Sequence, residues 1–188
     1  MVIIVKIKLK MENNEIRIVK TGKYEDVVEI DEHLYLISKK HRVAVLPYTI
    51  DTQGLLSKIG VIKDYNFIYE EYDYTLIHGY ISQDDGTDLV AANRILYDVI
   101  GTNITSADNW MYLGSLYNSL TSDSGINLYC VDVTNTQIKE TEEVEESQDK
   151  AKFSFLDSSK VISTDDSFFL SAFLRLFNLF YVQSLTQK

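Results

Sequence analysis

Proline is nearly absent from this chain, with Pro47 the only one in 188 residues. That scarcity excludes Pro-rich linkers and polyproline segments. Cysteine is as rare. Cys130 stands alone, so no internal disulfide can form, and the chain fits a reducing compartment. Positive charge is also short, 18 Lys and Arg against 28 Asp and Glu, for a net charge of −10. Nucleic-acid phosphates need a Lys/Arg face, and no basic cluster is visible, so a nucleic-acid partner is not expected. The opening MVIIVKIKLK alternates apolar residues with lysine and lacks the apolar core and cleavage site of a signal peptide. A cytoplasmic or virion location is expected. Only Ser167 to Leu185 has the length of a membrane span, and Arg175 and Asn178 near its middle would be costly in lipid. A buried core or interface helix is the expectation, with no membrane span.

What is present suits one globular domain. The chain is long enough for one well-buried core and short for two. A hydrophobic fraction of 45% and a charged fraction of 24% place it among ordinary globular proteins, and 13 Tyr with 8 Phe supply core or contact material.

Periodicity assigns the elements. Ile3, Val5, Ile7 and Leu9 alternate with lysines, which predicts a strand over Val2 to Leu9 with one buried face. Glu15 to Val19, Val27 to Ile30 and Leu34 to Ser38 read as short strands, with turns at Glu12-Asn13-Asn14 and Asp31-Glu32. His41 to Ile50 is a stronger strand. It ends in a turn at Asp51 to Gly54, and Leu55 to Val61 returns antiparallel. Thr75 to His78 is a brief strand leading into Gly79. Leu89, Ala92, Leu96 and Val99 recur at helical spacing, so Asp88 to Ile100 reads as a helix capped by Thr87 or Asp88 and closed by Gly101. Trp110 to Tyr117 and Ile126 to Val133 read as strands, Lys139 to Lys152 as an acidic loop or edge, and Asp157 to Ile162 as a short helix. Ser163 to Asp166 resembles a capping box, with Ser163 as N-cap, before the helix of Ser167 to Leu185.

The ordered elements carry a resemblance. HRVAVLP at His41 to Pro47, LIHGYI at Leu76 to Ile81, Ala91-Ala92-Asn93-Arg94, Gly101, WMYLGSLY at Trp110 to Tyr117, SGINLYCVD at Ser124 to Asp132 and the acidic run Glu140 to Glu146 are similar to the Nudix hydrolases of the ADP-ribose pyrophosphatase type. The likeness spans roughly residues 41 to 185, and Gly79 to Gly101 looks like a degenerate Nudix box. It implies an α/β fold, a Nudix-like α/β/α sandwich with a mixed β-sheet over residues 41 to 188, preceded by a small N-terminal β-segment over residues 1 to 40. In the resembled enzymes the box helix holds divalent metal against a diphosphate, and such an N-terminal segment often contributes to dimer contacts.

The departures bear on chemistry. The family pairs Arg with Glu and places two adjacent glutamates one turn further along; here Arg94 precedes Ile95, and the adjacent pair is Asp98-Val99. The box is also one residue longer than usual, and an acid ahead of the helix would come from Asp85, or from Asp84 or Asp88. Magnesium takes near-octahedral oxygen ligands at short, fixed distance, which Ile95 and Val99 cannot supply. Asp98 lies four residues after Arg94, where a surface ion pair is the plain expectation. A single helix carboxylate does not organise metal-assisted hydrolysis.

Other features favour ordinary roles. The run from Glu140 to Asp149 reads as a solvated loop, although its acids are available as extra ligands. His33, His41 and His78 lack partners at metal-ligand spacing, and Cys130 reads as a buried thiol. Ser119 to Gly125 lacks the setting of a hydrolase elbow, and Gly79 and Gly86 are too sparse for a phosphate-cradling loop. Tyr65, Phe67, Tyr69, Tyr72 and Tyr74 mark a strand with one aromatic face, or else a contact surface. Asp64, Glu70, Glu71 and Asp73 in the same stretch would repel a diphosphate.

The expected role is therefore a non-catalytic Nudix-like domain, a structural or protein-interaction component. No catalytic, cofactor-binding or metal residues and no cofactor are assigned. Partners are other proteins or a second copy, and the low proline content and divergent motif suit a viral or phage assembly. The alternative is a divergent Mg-dependent hydrolase of nucleoside-diphosphate-linked compounds such as ADP-ribose, using Asp85 and Asp98. A third possibility is nucleotide binding without cleavage.

Overall fold

The computed structural model describes residues 16–23, 25–30, 32–38, 40–66, 70–117, 125–138, 152–164 and 166–186. The strand expected over Val2 to Leu9 and the acidic run from Glu140 to Asp149 lie outside them.

Contacts group the chain into two compact units: Met1–Arg42 with Ser115–Ile126, and Val43–Gly114 with Asn127–Lys188. The first unit carries a three-stranded antiparallel sheet, β1 (Ile16–Thr21), β2 (Glu25–Ile30) and β3 (His33–Ser38). The β2–β3 hairpin turns through Glu32, a non-glycine residue held at φ 66°. Arg17 and Glu29 face each other across β1 and β2, in register and 3.4 Å apart.

The larger unit is built on β4 (Arg42–Ile50), whose residues Val43 to Tyr48 are all buried. Both of its faces are covered, which explains a continuous apolar run rather than an alternating one. β5 (Leu56–Asn66) returns antiparallel after a turn in which Asp51 accepts from the backbone of Gln53 and Leu55, and Gly54 takes φ 78°. The remaining strands are β6 (Glu71–Thr75), β7 (Ile77–Tyr80), β8 (Trp110–Tyr117), β9 (Gly125–Asp132) and β10 (Lys152–Asp157). They form a seven-stranded mixed sheet in the order β10-β5-β4-β9-β8, with β6 on β5 and β7 on β4. Lys152, the last residue of the stretch expected as an acidic loop or edge, begins β10 at the end of that strand order, with Phe153 in register opposite Ile62.

Two helices cover the sheet. α1 (Asp88–Ile100) buries Ala91, Ala92, Ile95, Leu96 and Ile100 in one cluster with Val43, Val45, Ile77, Val131 and Phe153. α2 (Ser167–Thr186) buries Phe169, Ala172, Phe173 and Leu176, and Phe180 meets Tyr48 edge-on at 5.5 Å. Since Tyr48 alternates with Val43 and Val45, the two helices lie on opposite faces. This is the α/β/α layering that the resemblance implied. Among the described residues no helix is long and apolar enough to cross a membrane. Arg175 of α2 instead donates to the Leu113 carbonyl at 2.8 Å.

The cap of α2 differs from the sequence reading. Asp166 accepts from the amides of Phe168 and Phe169 at 2.8 and 3.0 Å, so it is the N-cap, while Ser163 falls in the preceding 3₁₀ turn, Ser158–Ser163. The carboxylate is also the better cap, because it adds charge to the positive end of the helix dipole.

Candidate functional site

The loop and helix from Gly79 to Gly101 are built as the spacing predicts. Thr87 caps α1, its hydroxyl accepting from the Val90 amide at 3.3 Å. At the far end Gly101 takes φ 71° and donates to the Tyr97 carbonyl at 2.8 Å, a left-handed cap that suits glycine.

The three candidate acids around the helix entry have separate tasks. Asp85 is only 7% exposed. Its carboxylate accepts from Arg94 Nε and Nη2, both at 2.8 Å, and from the Ser82 amide at 2.6 Å. Arg94 also donates to the Tyr80 carbonyl at 3.0 Å, so one guanidinium ties the entry loop to the helix. The Arg94 hydrogen bonds hold the Asp85 carboxyl down at about 2, against an ordinary 3.8, despite the opposing effect of burial. The same contacts raise the Arg94 guanidinium further. Asp88 accepts from the Asn127 side chain on β9. Asp84 is exposed, and its backbone amide donates to Ser82 Oγ at 3.4 Å.

The residues following Arg94 point the other way. Ile95 is 6% exposed and belongs to the core cluster. It also fills the space beside Gly79, where an added Cβ would stand 2.9 Å from the Ile95 Cδ1. The isoleucine in the helix thus packs closely over the glycine that leads into the loop, and a larger residue there would have to displace its side chain. Val99 packs partly buried against the same cluster. Asp98 has a side chain 64% exposed, with Arg94 3.9 Å away at the i,i+4 spacing expected of a surface pair.

Asp98 and Val99 face a cavity of about 350 Å³ lined by Ile62, Asp64, Thr75, Leu76, Ile77, His78 and Phe153. The cavity lies at a fork in the sheet. β5 pairs β4 as far as Ile59, then runs on beside β6 from Ile62 to Asn66, while β7 moves over to β4. The β5–β6 register sets Asp64 opposite Asp73, a like-charge pair that costs stability by itself. It also sets Tyr65 opposite Tyr72, with ring centroids 5.2 Å apart and the Lys63 ammonium 5.0 Å from the Tyr72 ring. The aromatic run read as one strand is therefore a hairpin; Phe67 and Tyr69 lie outside the described residues.

The fold's metal chemistry can be tested on these positions. Of the three box-helix positions that would supply carboxylates, Ile95 and Val99 are apolar and packed on the core, and Asp98 is left as a single exposed carboxylate. Asp85 is occupied by Arg94 and Ser82. Among the described residues no three of His, Cys, Asp and Glu converge as a metal site. The described donor set does not fit a magnesium ion. Cys130 is buried in β9, and burial pushes its thiol up to about 12, which makes it a poor nucleophile.

No protein-family model matches this chain, and comparison with curated proteins finds no match. Solved structures do match. An ADP compounds hydrolase superposes with a TM-score of 0.60 at 15% identity, over 93% of this chain and 98% of that one. A NUDIX hydrolase from Listeria monocytogenes gives 0.49 at 14% identity, over 73% and 92%. NrtR of Shewanella oneidensis gives 0.49 at 14%, over 80% and 65%. At such identities the likeness concerns the fold alone, and the fold is Nudix-like.

Proposed function

We propose that this chain is a non-catalytic Nudix-like domain that acts as a structural or protein-interaction component, of the kind a viral or phage assembly would use. One observation carries the reading. The position after Arg94, where the resembled box places a glutamate, is an isoleucine in the core locked against Gly79. The helix holds the fold together with the residues that the resemblance assigns to metal. The exposed side of α2 supports a contact role, since Leu174, Phe177, Tyr181 and Val182 recur at helical spacing and the Phe177 and Tyr181 rings stack at 6.5 Å.

The alternative is a divergent Mg-dependent hydrolase of nucleoside-diphosphate-linked compounds. It draws on Asp98 at the cavity and on the likeness to an ADP compounds hydrolase. Purified protein with ADP-ribose and magnesium or manganese separates the two. The proposed reading expects no product, together with self-association or partner binding that weakens when Leu174, Phe177 and Tyr181 become serine. Turnover that Asp98→Ala abolishes would establish the alternative instead.

A further inference from the structure

α2 is apolar on two sides. Phe169, Ala172, Phe173 and Leu176 turn one stripe inward and are buried. Leu174, Phe177, Asn178, Tyr181 and Val182 follow the i, i+3, i+4, i+7, i+8 spacing of a second stripe, on nearly the opposite side of the helix. All five are exposed, Leu174 by 61% and Tyr181 by 55%. A helix apolar on one side completes a domain, whereas one apolar on both sides suits burial between two layers.

The width, charge and single polar member of the second stripe favour one occupant. It is one seam wide, which is what a second helix covers with side chains from alternate turns. From Ser167 to Gln187 the single charged residue is Arg175, and its guanidinium is directed at the Leu113 carbonyl. A chain of net charge −10 repels its own copies on most approaches, and this neutral face is where two of them can meet. The same neutrality disfavours a membrane surface, which interfacial helices meet with Lys and Arg beside the apolar face. Asn178 sits midway between Leu174 and Val182. An amide is donor and acceptor at once, so it complements itself, and a lone Asn in an apolar helix seam fixes register. A two-fold axis beside Asn178 sets the two amides against each other, and Leu174 of one protomer against Val182 of its partner.

We propose that α2 is a self-association face: two copies of this chain pair their α2 helices antiparallel through Leu174, Phe177, Tyr181 and Val182, with Asn178 at the two-fold axis. The proposal rests on the reading of α2 as a contact face and names a second copy as the partner. Two half-exposed aromatic rings offer roughly 100 Å² each, and with Leu174 and Val182 the stripe comes to roughly 400 Å² per protomer. A pair then buries roughly 800 Å² before its polar rim, short of the roughly 1,200 Å² at which specific, stable interfaces begin. The dimer is therefore weak, with a dissociation constant on the order of tens of micromolar.

Sedimentation velocity of the full chain, from about 1 to about 300 μM and at low and high sodium chloride, tests the proposal. A monomer–dimer equilibrium is expected, with nothing larger, because an isologous contact closes on itself. Salt should strengthen the dimer, since it screens the repulsion between acidic copies and leaves the neutral seam intact. Phe177→Ser and Asn178→Asp, both at exposed positions, should each weaken it at least about tenfold. Asn178→Lys should do the same alone, and an equimolar mixture with Asn178→Asp should recover at least about tenfold, because the axis then brings opposite charges together. No dimer at the highest concentration, species larger than a dimer, or a dimer that salt dissociates overturns the proposal. So does a dimer that neither Phe177→Ser nor Asn178→Asp affects, or a mixture no tighter than its parts. Binding to phosphatidylcholine–phosphatidylglycerol vesicles that Phe177→Ser abolishes would give the stripe to a lipid surface and overturn it too. Asp98-dependent hydrolysis of ADP-ribose would sink the non-catalytic reading and leave a dimer standing, whereas a monomer without hydrolysis would sink the dimer alone.

Discussion

Arg94 faces two carboxylates from one helix position, and the difference between them shows what became of this helix. On the loop side Asp85 is buried and makes two contacts of 2.8 Å; on the helix side Asp98 is exposed and lies 3.9 Å away. The first pair closes the loop onto α1. The second is an ordinary surface neighbour, of the kind worth a few tenths of a kcal/mol (roughly). The comparison extends to Ile95 and Val99, which face the core and the cavity and offer a metal no ligating group. A charge held in the fold stabilises it, whereas a charge left at the surface remains available to a ligand.

The largest effect should come from replacing the core side of this comparison. Ile95→Glu puts a carboxylate into a site 6% exposed and packed against Gly79, and should cost about 3 kcal/mol or more, enough to unfold a marginal domain. Val99→Glu, at the cavity edge, should cost much less. Chemical denaturation of the two variants would sharpen the contrast, and equal losses would break it.

Asp85→Ala comes next, with an expected loss of about 2 kcal/mol, because it strands the Ser82 amide and a partly buried guanidinium. A thermal melt that matches wild type would show that the clasp holds nothing. The acid limb should report the same pair. The folded Asp85 carboxyl, at about 2, binds its proton less tightly than the unfolded one at 3.8, so between these values the unfolded chain takes up more protons. The stabilisation is therefore fully present above the unfolded value and is lost as pH falls through the folded value, by about 2 kcal/mol in all. An Asp85→Asn variant should lack this component when its stability is compared with wild type from pH about 4 to about 2. The smallest effect belongs to Asp98→Ala, expected within about 0.5 kcal/mol of wild type.

Much of this was legible in the sequence because local chemistry decided it. Thr87, the 3.6-residue spacing and Gly101 set α1 between the observed limits, and the run Ser167 to Leu185 set α2 to within a residue of its end. Three features were not legible, each for its own reason. β10 follows an acidic segment, and its strand character depends on pairing with β5 some ninety residues earlier. The hairpin of β5 and β6 alternates aromatic residues without a glycine to mark its turn. Asp85 offered itself as a metal ligand by position, yet its use is set by a guanidinium nine residues on. The spacing of acid, cap and Arg at the helix entry was the signal for that clasp. The cavity had no local signal, since its lining comes from β5, β6, β7, α1 and β10.

The central claim is that α1 serves the fold and no longer organises a metal. Titration of the full chain with Mn²⁺, followed by electron paramagnetic resonance of the free ion, tests it most directly, with Asp98→Asn as the paired sample. The account predicts no stoichiometric site that depends on Asp98, and identical binding curves for the two proteins. One Mn²⁺ bound per chain and released by Asp98→Asn would contradict it.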